Sequence, residues 1–153
     1  MIRGVFIKII KRIDRILVEL LNGINIGQYK WYNVKNQKEA WCLENGEKDE
    51  FLKDIYYHGK DFEKIINRDH YLIFLKLEAF GENVKKVNIH TYEEFQNSDC
   101  QILILIYDCN YIELFSKEKD IIQSIYANLK EKDFAEVEYI TDKNDERYVL
   151  DIL

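Results

Sequence analysis

Apolar and polar positions change period several times along the chain, and those changes predict its elements. Residues 2–9 are rich in β-branched and aromatic types and read as a first strand. Apolar residues then fall at Ile10, Ile13, Ile16, Leu17, Leu20 and Leu21, one face of a helix that Asn22-Gly23 stops. Residues 29–34 and 39–43 read as two short strands joined by the polar stretch 35–38, an antiparallel hairpin. Helical spacing at Phe51, Ile55, Phe62, Ile65 and Ile66, interrupted at His58-Gly59, predicts one helix or two between 49 and 67.

Residues 71–77 are nearly all apolar, the mark of a central strand covered on both faces, and a further strand is expected over 84–89. Thr91-Tyr92-Glu93-Glu94 fits a capping box, in which threonine oxygen and glutamate carboxylate each satisfy a backbone N–H at a helix start. That helix must end before Asp99. Residues 101–107 form another apolar strand, and Asp108-Cys109-Asn110 turns it back into 111–115. A helix over about 117–132 buries Ile121, Ile122, Ile125, Tyr126 and Leu129 on one face, and 135–141 is the last strand.

Hairpins imply antiparallel pairing, and only the 117–132 connection offers a parallel crossover. The expected class is therefore α+β: one compact domain over 1–153, with a mixed, mainly antiparallel sheet of about eight strands and about four helices. The length of 153 residues and a hydrophobic share of 47% suit a single self-sufficient core. They exclude a disordered tail, a collagen-like repeat and a disulfide miniprotein.

Charge adds an asymmetry. The net charge is −6, yet residues 1–38 carry +6 and the remainder −12, so the halves can attract each other, a second copy or a charged partner. Three cysteines, Cys42, Cys100 and Cys109, show neither a CxxC pair nor metal-ligand spacing and suit a reducing compartment. The N-terminal residues mix charges with apolar types, unlike a secretory signal, and no apolar run approaches the ~20 residues of a membrane helix. The expected location is the cytoplasm, with no membrane partner. Proline is absent while Ile, Lys and Asn abound, the bias of an A+T-rich genome, so lysine-rich faces say little about ligands.

Chemical signatures are sparse. Asp142, Asn144, Asp145, Glu146 and Arg147 gather oxygen ligands beside one guanidinium, but without the glycine and terminal glutamate of a calcium loop they read first as a polar turn. Cys100 and Cys109 each follow an aspartate, which opposes thiolate formation, and none of His58, His70 or His90 is placed beside them by sequence. No serine sits in a glycine-flanked elbow, and Gly23-Ile-Asn-Ile-Gly27 lacks the lysine and spacing of a phosphate loop, so no cofactor is implied. Tyr29, Trp31, Tyr32 and Trp41 beside Lys30, Lys35 and Lys38 could stack single-stranded nucleic acid or form the inner face of a hairpin.

The runs TYEEFQNSDCQILILIYDCNYIELFSK from Thr91 and VEYITDKNDERYVL from Val137, with Tyr29-Lys-Trp-Tyr32 more loosely, resemble an uncharacterised family of small proteins from low-GC Gram-positive bacteria, the domain of unknown function 2691. That resemblance implies no reaction, cofactor or partner. Its bacterial origin agrees with the codon bias.

The residues point to a non-catalytic protein-interaction or binding domain, of an immunity or regulatory kind, rather than an enzyme. Its partner would be another protein or a second copy of itself, met through aromatic anchors Trp31, Tyr32 and Trp41 and the acidic segment Asp142, Asp145, Glu146 and Arg147. Two alternatives stand beside it. One is a small enzyme whose carboxylates and a histidine converge only in three dimensions; the other is a single-stranded nucleic-acid binder using the 29–43 hairpin, which the net negative charge disfavours.

Overall fold

A computed structural model describes residues 1–145 and 149–152. In chain order it contains β1 (Ile2–Ile9), α1 (Ile16–Leu20), β2 (Tyr29–Asn33), β3 (Glu39–Glu44), β4 (Glu47–Glu50), β5 (Tyr56–His58), α2 (Gly59–Ile66) and β6 (His70–Gly81). There follow α3 (Tyr92–Asn97), β7 (Cys100–Tyr107), β8 (Tyr111–Ser116), α4 (Lys119–Lys130) and β9 (Ala135–Thr141). The class is α+β. All nine described strands join one sheet, ordered β4-β3-β6-β7-β8-β1-β9, with β2 also on β6 and β5 on β2.

Every described strand pairing is antiparallel. β1 lies between β8 and β9, which therefore run parallel to each other, and α4 carries the chain across β1 from one to the other. This is the crossover expected for 117–132. Its helix is amphipathic, burying Ile121, Ile122, Ile125 and Leu129 against the sheet.

Three segments depart from the sequence expectation. The 29–43 hairpin does not form: β2 pairs with 77–81 and β3 with 70–74 of β6, so the two lie end to end along one side of a single long strand. The polar stretch between them makes a 3-10 turn that does not reverse the chain, because Gln37 is drawn inward, donating from Nε2 to Asp151 (2.9 Å) and accepting from Ile152 N–H (2.6 Å). The first helix shrinks to five residues. Ile10 N–H and Lys11 N–H both donate to Phe134 O, and Asp14 O accepts from His70 N–H, so residues 10–15 cap the sheet's end instead of coiling. Residues 84–89 are not a strand; they cross the sheet surface, with the Ile89 carbonyl taken by Lys76 Nζ.

Between 49 and 67 the structure has the end of β4, then β5 and one helix, α2. Gly59 opens that helix where a Cβ would collide with the Ile26 and Gly27 backbone, which explains the glycine inside an apolar-periodic segment.

The sheet separates two cores. One face carries Val5, Ile7, Ile102, Ile104, Ile112, Leu114, Leu75 and Leu77 beneath α1, α2 and α4. The other carries Phe80, Leu103, Leu105, Phe115 and Ile140 beneath α3, Ile89 and Leu150. Alternation along β7 and β8 divides these sets, as a period of two requires.

Candidate functional site

The aromatic anchors are separated by the fold. Trp31 is 0% exposed, stacked on Phe62 (centroids 4.7 Å apart) with its Nε1 donating to Ile26 O (3.1 Å). It belongs to the core, because β2 turns Tyr29, Trp31 and Asn33 toward the helices. Tyr32 points to the opposite face, edge-on to Phe80 and 5.4 Å from the Tyr56 ring. Trp41 lies half-buried on β3, with the Lys48 ammonium 4.0 Å over its ring. No common stacking platform results.

In the acidic segment, Asp142 and Asp145 both grip Arg3, at 2.7 Å from Nε and 3.2 Å from Nη1. The hydrogen bond from Arg3 holds the Asp142 carboxyl below its usual range. Asn144 accepts from Thr141 N–H (2.7 Å) and donates to Tyr139 O (2.9 Å), closing a polar turn that fastens β9 to β1. Glu146 and Arg147 lie outside the described residues. Among the described residues no three His, Cys, Asp or Glu side chains gather as a metal site.

Cys42, Cys100 and His70 are buried. Burial pushes Cys100 up to about 12 and also raises Cys42. His70 is buried and stacked on Phe51; its Nδ1 bonds Arg68 O (2.8 Å) and its Nε2 accepts from Leu17 N–H (3.2 Å). That pattern requires a neutral ring with the proton on Nδ1, and burial lowers its pKa accordingly. His70 borders a cleft of about 370 Å³ together with Cys109, Arg12 and Tyr71, whose hydroxyl lies 3.2 Å from the Cys109 sulfur.

Ionisable side chains do converge elsewhere. β6 presents Lys76 and Glu78 two residues apart on one face, both 1% exposed. Lys76 Nζ donates to Ile89 O and to Asp151 Oδ1 (2.8 Å). Asp151 also receives Gln37 Nε2 and lies 3.0 Å from His90 Nδ1. Burial alone would raise this carboxyl, but the bonds from Lys76, Gln37 and His90 outweigh it and hold it low.

Glu78 has a different setting. Neither of its oxygens accepts a hydrogen bond from a described residue, and Lys86 Nζ stands at 3.5 Å, too far to bond well. Burial therefore raises its pKa. Glu78 borders a cleft of about 230 Å³ whose rim includes Lys35, Ile55, Lys86, Asn88 and His90. Sequence reasoning missed both groups, although two charges at i and i+2 inside a nearly apolar strand were a legible signal of one polar spot on a buried face.

Beside that rim the 54–58 segment forms an exposed edge. Asn33 fixes it, its Nδ2 donating to Asp54 O (2.6 Å) and its N–H to Ile55 O (3.0 Å). Ile55 is left 60% exposed and Tyr56 46%. Lys30 and Lys86 lie over the Tyr56 and Tyr32 rings, at 5.5 and 5.7 Å.

Fold and site together define a single-domain α+β protein with a helix-backed antiparallel sheet and, on its second face, a cleft lined by both apolar and charged side chains. The chain belongs to the family described as protein of unknown function (DUF2691), whose model matches residues 2–151. The uncharacterized protein YncE of Bacillus subtilis (strain 168) is 34% identical over 158 residues, spanning 98% of this chain and 99% of that protein. No solved structure matches. Among the described residues no helix is long and apolar enough to cross a membrane.

Proposed function

We propose that the chain is a non-catalytic interaction domain, of an immunity or regulatory kind, that binds another protein through the edge formed by Ile55, Tyr56 and Tyr32. The observation that carries this reading is the exposure of Ile55 and Tyr56 on a segment whose carbonyls at 54 and 55 are bound by Asn33. A large aliphatic and an aromatic group held ready for contact pay little ordering entropy on binding, which is how interface anchors gain their weight. The cations over the two tyrosine rings give the edge a charged rim.

Burial of Trp31 and the net charge of −6 weigh against a stacking surface for single-stranded nucleic acid. The acid–base alternative has a histidine and carboxylates in one place, but Asp151 is already occupied by Lys76 and Gln37, which favours a structural role for that pair.

The test compares wild type with Ile55→Asp and Tyr56→Ala, by sedimentation for self-association and by affinity capture from native lysate. A specific protein partner, or a dimer, should be retained by wild type and weakened ~10-fold or more by either substitution. Identical capture by all three proteins, with folding unchanged, overturns the reading.

A further inference from the structure

We propose that the cleft over Glu78 binds a small zwitterion, carrying an ammonium group and a carboxylate a few atoms apart, of the free amino-acid class. The proposal rests on the buried Glu78 carboxylate rather than on the docking edge, although Ile55 and Lys86 border both. At its base is a 1% exposed carboxylate whose two oxygens accept no hydrogen bond from a described residue. A buried acceptor of this kind gains most from a ligand with several N–H donors on one centre. A primary ammonium supplies three.

A simple cation does not suit the remaining lining. Lys35 and Lys86 border the same cleft, and Lys76 lies two residues along the same face. The Lys35 and Lys86 ammonium groups, with Lys76 already paired to Asp151, repel a bare amine and would accept an anion. A simple anion fails for the opposite reason, since it would be driven against the Glu78 carboxylate. A ligand with both signs satisfies both ends.

Lys86 is the group best placed to receive the ligand's carboxylate. Its Nζ is held only loosely, 3.2 Å from Asn88 Oδ1 and 3.5 Å from both Glu78 and the Val87 carbonyl. Lys35 is committed to the Leu52 and Lys53 carbonyls and contributes mainly its charge. Both Glu78 oxygens are closed off from solvent, so the ligand's ammonium reaches them only as Lys86 turns away to the ligand's carboxylate. The volume, about 230 Å³, lies below the usual ~300–1,000 Å³ of drug-sized sites and restricts the ligand to a few heavy atoms.

The experiment is an amide-resolved NMR titration of the full chain with glycine, alanine and β-alanine, each alone, and with methylamine and acetate as single-charge probes at matched ionic strength. At least one zwitterion should shift the amides of Glu78 and residues 86–90 saturably, while methylamine and acetate do not. Glu78→Gln and Lys86→Met should each weaken that binding ~10-fold or more. The two substitutions remove opposite ends of the recognition, and Lys86 is partly exposed, so Lys86→Met reports even if the buried change disturbs the fold. No saturable shift with any of the three zwitterions overturns the proposal. So does an equal response to acetate or methylamine alone, or unchanged affinity in both variants.

Discussion

His70 and Glu78 are both buried, yet they impose opposite pH dependences. The His70 pKa is lowered from its ordinary 6.5, so below that value the unfolded chain takes up a proton that the folded ring refuses. Stability then falls as pH drops from 6.5 toward the folded value. The Glu78 pKa is raised from 4.5, so between that value and the folded one the native state holds a proton that the unfolded chain has released. Here stability falls as pH rises. Urea denaturation at a series of pH values should separate the two: His70→Gln flattens the limb below 6.5 and costs ~1–3 kcal/mol at pH 7 through the orphaned Leu17 N–H or Arg68 carbonyl. Glu78→Gln should gain on wild type as pH rises above about 4.5. If the stability of Glu78→Gln keeps a constant offset from wild type across that range, the carboxyl titrates normally.

At the level of elements, β6 is the spine, carrying β3 and β2 in tandem on one side and β7 on the other. Elements whose pattern is set by their own burial were legible in the sequence. The β9 bounds, 135–141, follow from its residues, and α4 from its apolar stripe. The Thr91 cap was also legible: Thr91 Oγ1 accepts from Glu94 N–H at 3.0 Å, while the Glu94 carboxylate accepts from His90 N–H, one residue before the threonine. Thr91→Ala should therefore cost ~1 kcal/mol and speed amide exchange across α3, measurable by hydrogen exchange. What local pattern could not reveal was choice of partner. Strands β2 and β3 have the composition of a hairpin, but the pairing is decided by the length of β6 and by Gln37 reaching Asp151, more than a hundred residues away in sequence. The cleft over Glu78 was illegible for the same reason. Its floor comes from β6, its roof from an irregular stretch, and its fixing carboxylate from residue 151.

On the scale of the whole molecule, Asp151 ties β6, the turn before β3 and the 84–90 stretch into one unit. Removing it strands the buried Lys76 ammonium, so Asp151→Ala should destabilise by ~3–5 kcal/mol, measured by denaturant unfolding. The pair Lys76→Met with Asp151→Leu should recover most of that loss, since the penalty lies in the unpaired charge. A double variant no more stable than the single one would show that Asp151 contributes through its other bonds. The position of β1 has a different kind of outcome. Its hydrogen-bonding partners are β8 and β9, so during synthesis β1 waits for segments more than a hundred residues further along before either of its edges is covered. Nascent chains halted before residue 111 should therefore expose an apolar ribbon, collecting in aggregates or on chaperones, and closure of the finished protein should be slow for its size.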